Sequence, residues 1–136
     1  MEIILNLHMQ VMSTPKSHHV LLLDHIIKLE IKDDEIIEAE DMRAMHLVNL
    51  ELSKQKPFGV ILNVRKHFVV TKEARELLAS SEFSSHHIAS AFIVRSLASK
   101  LTGNFFIRFN KPKNPTKLFS DEAKALAWIK KVMQIK

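Results

Sequence analysis

The sequence predicts an α/β fold: a mixed, mainly parallel central sheet flanked by four helices, with an N-terminal antiparallel hairpin. Three observations predict it. Two short apolar runs, Phe58 to Asn63 and Ile88 to Val94, show no polar alternation, as expected of strands buried on both faces. Segments with apolar residues at helical spacing separate and follow them. The stretch before them reads as strand, with alternation or runs rich in β-branched residues. Buried strands alternating with amphipathic helices favour a layered parallel sheet.

In chain order, residues 3–11 come first. Ile3, Leu5, Leu7, Met9 and Val11 face one way and Ile4, Asn6, His8 and Gln10 the other, a half-buried strand. Ser13-Thr14-Pro15-Lys16-Ser17 reads as a loop. His19 to Leu23 and Ile26 to Ile31, split by Asp24-His25, read as a hairpin. Glu40 to Ser53 carries Met42, Met45, Val48 and Leu52 at helical spacing, and its acidic start complements the helix dipole. Lys56-Pro57 stops it, and the strand Phe58 to Asn63 follows. Thr71 caps a helix to about Ser80, with Ala74, Leu77 and Leu78 inward. After the strand Ile88 to Val94, Ser96 caps a third helix. That helix should turn Leu97, Ala98 and Leu101 inward and end at Gly103-Asn104, with Gly103 in the left-handed conformation and the following Phe side chains in the core. Thr116 to Phe119 is a short strand. Ser120 caps the last helix, in which Trp128 is a packing residue.

The chain has 136 residues, the size of one domain. Residues 1–17 read as an N-terminal extension carrying an extra edge strand, and residues 18–136 as a single domain. Hydrophobic residues make up 46% and charged residues 26%, which excludes a disordered chain. Cys and Tyr are absent, which removes thiol nucleophiles, disulfides and thiolate metal sites. No apolar run approaches the roughly 20 residues of a membrane helix, and the first residues lack a basic signal-peptide start, so a cytoplasmic protein is expected. Residues 1–55 hold 5 Lys and Arg against 10 Asp and Glu, while residues 56–136 hold 15 against 5. Both signs are expected to mix on one folded surface.

Three segments carry a family resemblance. The first is Pro57-Phe58-Gly59-Val60-Ile61-Leu62-Asn63-Val64-Arg65, followed by Thr71-Lys72-Glu73-Ala74-Arg75. The second is Gly103-Asn104-Phe105-Phe106 with Asn110-Lys111-Pro112. The third is Pro115-Thr116-Lys117-Leu118-Phe119, then Glu122 and Ala125-Leu126-Ala127-Trp128-Ile129. From about His19 to Met133 the chain resembles the STAS/SpoIIAA-like family, relatives of bacterial anti-sigma factor antagonists, in a fold group that includes CRAL-TRIO lipid-binding domains. It is most similar to a bacterial subgroup of small SpoIIAA-like proteins without assigned function. The resemblance implies a SpoIIAA-like fold and a non-enzymatic regulatory or protein-interaction role. In the antagonists a phosphorylatable Ser follows an Asp at the start of the second helix. Here those positions fall on Thr71 and Lys72, so the usual phosphorylated Ser is missing, and Thr71 reads as an N-cap.

Chemical motifs are sparse. The adjacent pairs His18-His19 and His86-His87 diverge on a strand or a helix and make no chelate. No zinc-binding His-Glu-x-x-His, nucleophile elbow or Gly-rich phosphate loop occurs. The expectation is therefore no enzyme, no metal and no cofactor. The basic stretch Arg108, Lys111, Lys113 and Lys117 lacks a nucleic-acid motif, and no nucleic acid is expected as a partner. At the carboxyl ends of the parallel strands, capped helix starts and basic residues suggest an anion-binding rim of Asn63, Arg65, Lys66, Thr71, Arg95 and Ser96. Its expected partner is a protein, through an acidic or phosphorylated segment, and the first strand predicts a homodimer. The competing expectation is a small-ligand or lipid-binding protein with a pocket at those strand ends. An apolar cavity discriminates between the two.

Overall fold

The computed structural model describes residues 10–23, 25–64 and 67–135. Eight strands and five α-helices follow one another as β1 (Gln10–Thr14), β2 (Ser17–Leu23), β3 (Ile26–Ile31), β4 (Ile36–Ile37), α1 (Ala39–Leu52), β5 (Phe58–Asn63), β6 (Val69–Val70), α2 (Lys72–Leu78), α3 (Ser81–Ser84), β7 (His87–Ile93), α4 (Leu97–Phe105), β8 (Thr116–Phe119) and α5 (Glu122–Met133). A π-helical turn, Phe106–Asn110, extends α4. The main sheet has the order β1-β2-β3-β5-β7-β8, and β4 and β6 form a separate parallel pair. β1, β2 and β3 are antiparallel, whereas β3, β5, β7 and β8 run parallel. The sheet is therefore mixed and mainly parallel, as its apolar runs predict.

Alternation along the strands divides the core in two. Ile27, Leu29 and Ile31, with Phe58 and Val60, face α1, α2 and α3. Ile26, Ile61, Ala91 and Ile93 face α5, which places Ala125 and Ile129 between them. Gly59 and Ala89 are register partners on that second face. Their small size lets α5 lie close: a Cβ on Gly59 would sit 2.8 Å from Ile129 Cγ2 and 2.8 Å from Met133 Sδ. Trp128 packs there as expected, its ring 5.5 Å from that of Phe119.

A buried polar chain pins the antiparallel edge to α1. Thr14 and Ser17 hydroxyls lie 2.6 Å apart. The Ser17 hydroxyl is 2.8 Å from His19 Nε2, and His19 Nδ1 donates to Asn49 Oδ1 at 2.7 Å. Burial lowers the His19 pKa and favours the neutral imidazole, in which Nδ1 carries the proton and Nε2 accepts from the Ser17 hydroxyl. Lys16 Nζ bonds Asp41 Oδ2 at 2.8 Å and ties the β1–β2 turn to the first turn of α1.

Several expectations need correction. The first strand is predicted over residues 3–11, but β1 covers Gln10–Thr14, and residues 3–9 lie outside the described residues. Ser13, Thr14 and Ser17 belong to strands rather than a loop, and only Pro15 and Lys16 turn. Asp121, not Ser120, caps the last helix, accepting from Lys124 N at 2.8 Å. The third helix does not end at Gly103. It continues to Phe105, and Gly103 has no positive φ. Gly103 serves close approach instead: a Cβ there would lie 2.7 Å from Leu118 Cδ2 on β8.

The orientation of α4 is the largest correction. Leu97 and Leu101 are 73% and 61% exposed, Phe105 is 47% exposed, and Ala98 is exposed too. Leu97, Leu101 and Phe105 recur every fourth residue and share one face, so the large apolar residues of α4 point at solvent. Of the two Phe side chains expected in the core, only Phe106 is buried.

Candidate functional site

Turning α4 outward leaves small and polar residues facing the sheet. Ser99, Thr102 and Gly103 line a cavity of about 440 Å³ between α4, the first sheet face and helices α1 to α3. Its walls are Leu29, Ile31, Val60, Leu62 and Phe92 from the strands, with Met42, Met45, Leu78 and Phe83 from the helices. That volume falls in the range of small-molecule sites, and the walls are apolar with few polar groups, as such sites are.

The cavity runs along the parallel strands. At their amino ends, rings form the floor. His46 stacks on Phe83 with centroids 4.0 Å apart and tilts against Phe58 at 5.7 Å. Phe58 in turn meets His87 at 5.4 Å. His87 Nε2 and the Ser90 hydroxyl are 2.6 Å apart. Burial among these rings pushes His46 down to about 4 and His87 down to about 3, and each imidazole that would charge also opposes a neighbouring one. Both are neutral at pH 7. His87 and Ser90 form a dyad in outline, but an imidazole that takes a proton only near pH 3 is too weak a base to activate a hydroxyl. The floor is polar and uncharged. His46 Nδ1 has no hydrogen-bond partner.

At the carboxyl ends of the strands the lining reaches solvent. His67 and Ser96 line the cavity and are exposed, and Val64 and Phe68 beside them are half-buried. Among the described residues of the lining, Arg75 of α2 is the one permanently charged side chain, and it lies here. Nη1 donates to the Val70 carbonyl at 2.7 Å, and the guanidinium sits 5.6 Å from the Phe105 ring centroid. Nε is buried without an acceptor.

Residues 20–133 match the family model of a domain of unknown function, DUF7793. The chain belongs to the DUF7793 family. This DUF7793 chain also resembles the crystal structure of an uncharacterised DUF3478-family protein with a SpoIIAA-like fold from Shewanella loihica PV-4. The two are 14% identical, the match covers 89% of this chain and 91% of the other, and the TM-score is 0.53. At that identity the likeness concerns the fold, which is SpoIIAA-like. No curated protein matches the DUF7793 chain.

The predicted rim residues scatter in this DUF7793 structure. Ser96 caps α4, accepting from Ser99 N at 3.0 Å, and lines the cavity. Thr71 caps α2, accepting from Ala74 N at 3.2 Å, and Arg95 is exposed; neither lines the cavity. Asn63 is buried and alternates with Leu62, so it lies on the α5 face of the sheet. Arg65 and Lys66 lie outside the described residues. Among the described residues no cluster of three or more His, Asp or Glu could hold a metal ion, and no helix is long and apolar enough to cross a membrane.

Apart from Ser96, the polar residues that line the cavity were not singled out by sequence. His46 and Asn49 carried a signal: they interrupt the Met42, Met45, Leu52 face of α1 with polar groups at buried positions. Ser90 likewise interrupts an apolar strand. Arg75 entered only as the last residue of the resemblance segment Thr71-Lys72-Glu73-Ala74-Arg75, with no role of its own.

Proposed function

We propose that this chain is a non-enzymatic binding protein for a small, mainly apolar molecule held between the sheet and α4. The single observation that carries the reading is the apolar cavity of about 440 Å³, reaching solvent at the carboxyl ends of the parallel strands. The uncharged floor supports binding over catalysis, because no group there is poised to exchange a proton near neutral pH. A cytoplasmic location belongs to the same proposal. Calorimetric titration with 1-decanol tests it. Wild type is expected to bind one molecule per chain. Val60→Phe, which places a ring into the cavity, is expected to weaken binding about tenfold or more while the chain still melts cooperatively. No saturable binding, or equal binding by Val60→Phe, would end the reading.

A second reading, a regulatory or protein-interaction module, has its own support in the exposed stripe of Leu97, Leu101 and Phe105. Its simplest form is a homodimer. Light scattering would then give twice the chain mass for wild type and the single-chain mass for Leu97→Lys/Leu101→Lys. A single-chain mass for wild type removes that form. The stripe and the cavity share α4, so a bound ligand and a docked partner would act on one helix.

A further inference from the structure

Arg75 is out of place in an apolar cavity. A guanidinium is always charged; Arg75 is half-buried, and the part of it turned from water lacks the counter-ion that proteins normally supply. Among the described residues Arg75 has no carboxylate within ion-pair distance. Its one acceptor is the Val70 carbonyl, on Nη1, and its Nε is buried with none. The Phe105 ring gives partial compensation from one side. Its Nη2 N–H groups are neither buried nor bonded, and they are the donors left for a carboxylate in the cavity. Among the described lining residues Arg75 is the one permanent cation, and it calls for one negative charge.

Resting on the ligand-binding reading above, we propose that the ligand is an amphipathic monocarboxylic acid, its carboxylate paired with Arg75 and its apolar chain along Leu62 and Val60 toward the His46 ring. Length follows from volume. At about 30 Å³ for each water-sized unit, the cavity holds roughly fifteen such units, or a chain of about ten carbons with its headgroup. A headgroup at Arg75 leaves the apolar walls to the chain and the neutral floor to its end.

The probes are decanoate and 1-decanol, titrated below their aggregation limits into the full chain at pH 7.5. Wild type is expected to bind decanoate at least about tenfold more tightly than decanol, a modest value for a charge-assisted pair. Arg75→Gln is expected to bring decanoate to within about twofold of decanol and leave decanol unchanged. In wild type, decanoate and not decanol should shift the Arg75 Nε–H resonance, a readout that needs no variant to fold. Equal affinity of wild type for the two probes overturns the carboxylate assignment and leaves the cavity reading standing, as does an undiminished decanoate preference in Arg75→Gln. Failure of both probes to bind, or equal binding of both by Val60→Phe, overturns the cavity reading and the assignment together.

Discussion

Acidification from pH 6.5 to about 5 is expected to destabilise the folded chain well before its carboxylates titrate. His46 and His87 are held neutral by burial, with pKa values of about 4 and about 3 against 6.5 in the unfolded chain. Below pH 6.5 the unfolded chain takes up protons that the folded chain refuses, so stability falls with falling pH. The loss proceeds until the folded-state values are reached, near pH 4 for His46 and near pH 3 for His87. Each imidazole contributes at most about 1.4 kcal/mol per pH unit. Buried His19, whose pKa is also lowered, adds in the same direction. Across two units the loss is several kcal/mol, against about 5–15 kcal/mol for a whole domain. Urea melts at pH 7.5, 6.5, 5.5 and 4.5 read it directly. A flat stability above pH 5 would contradict the neutral floor. His46→Phe, which keeps the stack on Phe83, should flatten the slope by about one proton's worth.

Gly59→Val is expected to be the most damaging single change on the α5 face. A Cβ alone comes within 2.8 Å of Ile129 Cγ2, and Ile129 is fully buried between β5 and β7. Met133 can swing aside, but Ile129 cannot move unless α5 lifts from the sheet. Overpacking of this kind costs about 1–3 kcal/mol, which lowers the melting temperature by roughly 3–15 °C for a domain of this size. Gly103→Ala is the contrast. Its added Cβ meets the end of a half-buried Leu118 side chain, and alanine favours a helix interior by up to about 1 kcal/mol over glycine. Thermal melts should show a large drop for Gly59→Val and a change within about 1 kcal/mol for Gly103→Ala. Equal effects would contradict the close docking of α5.

The central strands β5 and β7 could be read because burial on both faces leaves a near-continuous apolar run. Phe58–Asn63 and Thr116–Phe119 have the predicted bounds, and His87–Ile93 is one residue displaced. The helix caps Thr71 and Ser96 could be read because a hydroxyl before a helix has one economical use. The two-residue strands β4 and β6 are too short to show a period. The orientation of α4 could not be read. Spacing puts Leu97, Leu101 and Phe105 on one face but does not say whether that face meets core or water. The cavity follows from that orientation, since it exists where Ser99, Thr102 and Gly103 replace large side chains against the sheet. Arg75 escaped for the same reason: its meaning lies in what surrounds it.

Ligand entry between the sheet and α4 can be followed by methyl-resolved NMR of the wild-type chain titrated with 1-decanol. Saturable shifts of the Leu29, Val60 and Leu62 methyls are expected, with Ile26, Ile61 and Ile129 on the opposite face unmoved. Shifts confined to the outward methyls of Leu97 and Leu101, or spread evenly over both faces of the sheet, would contradict it.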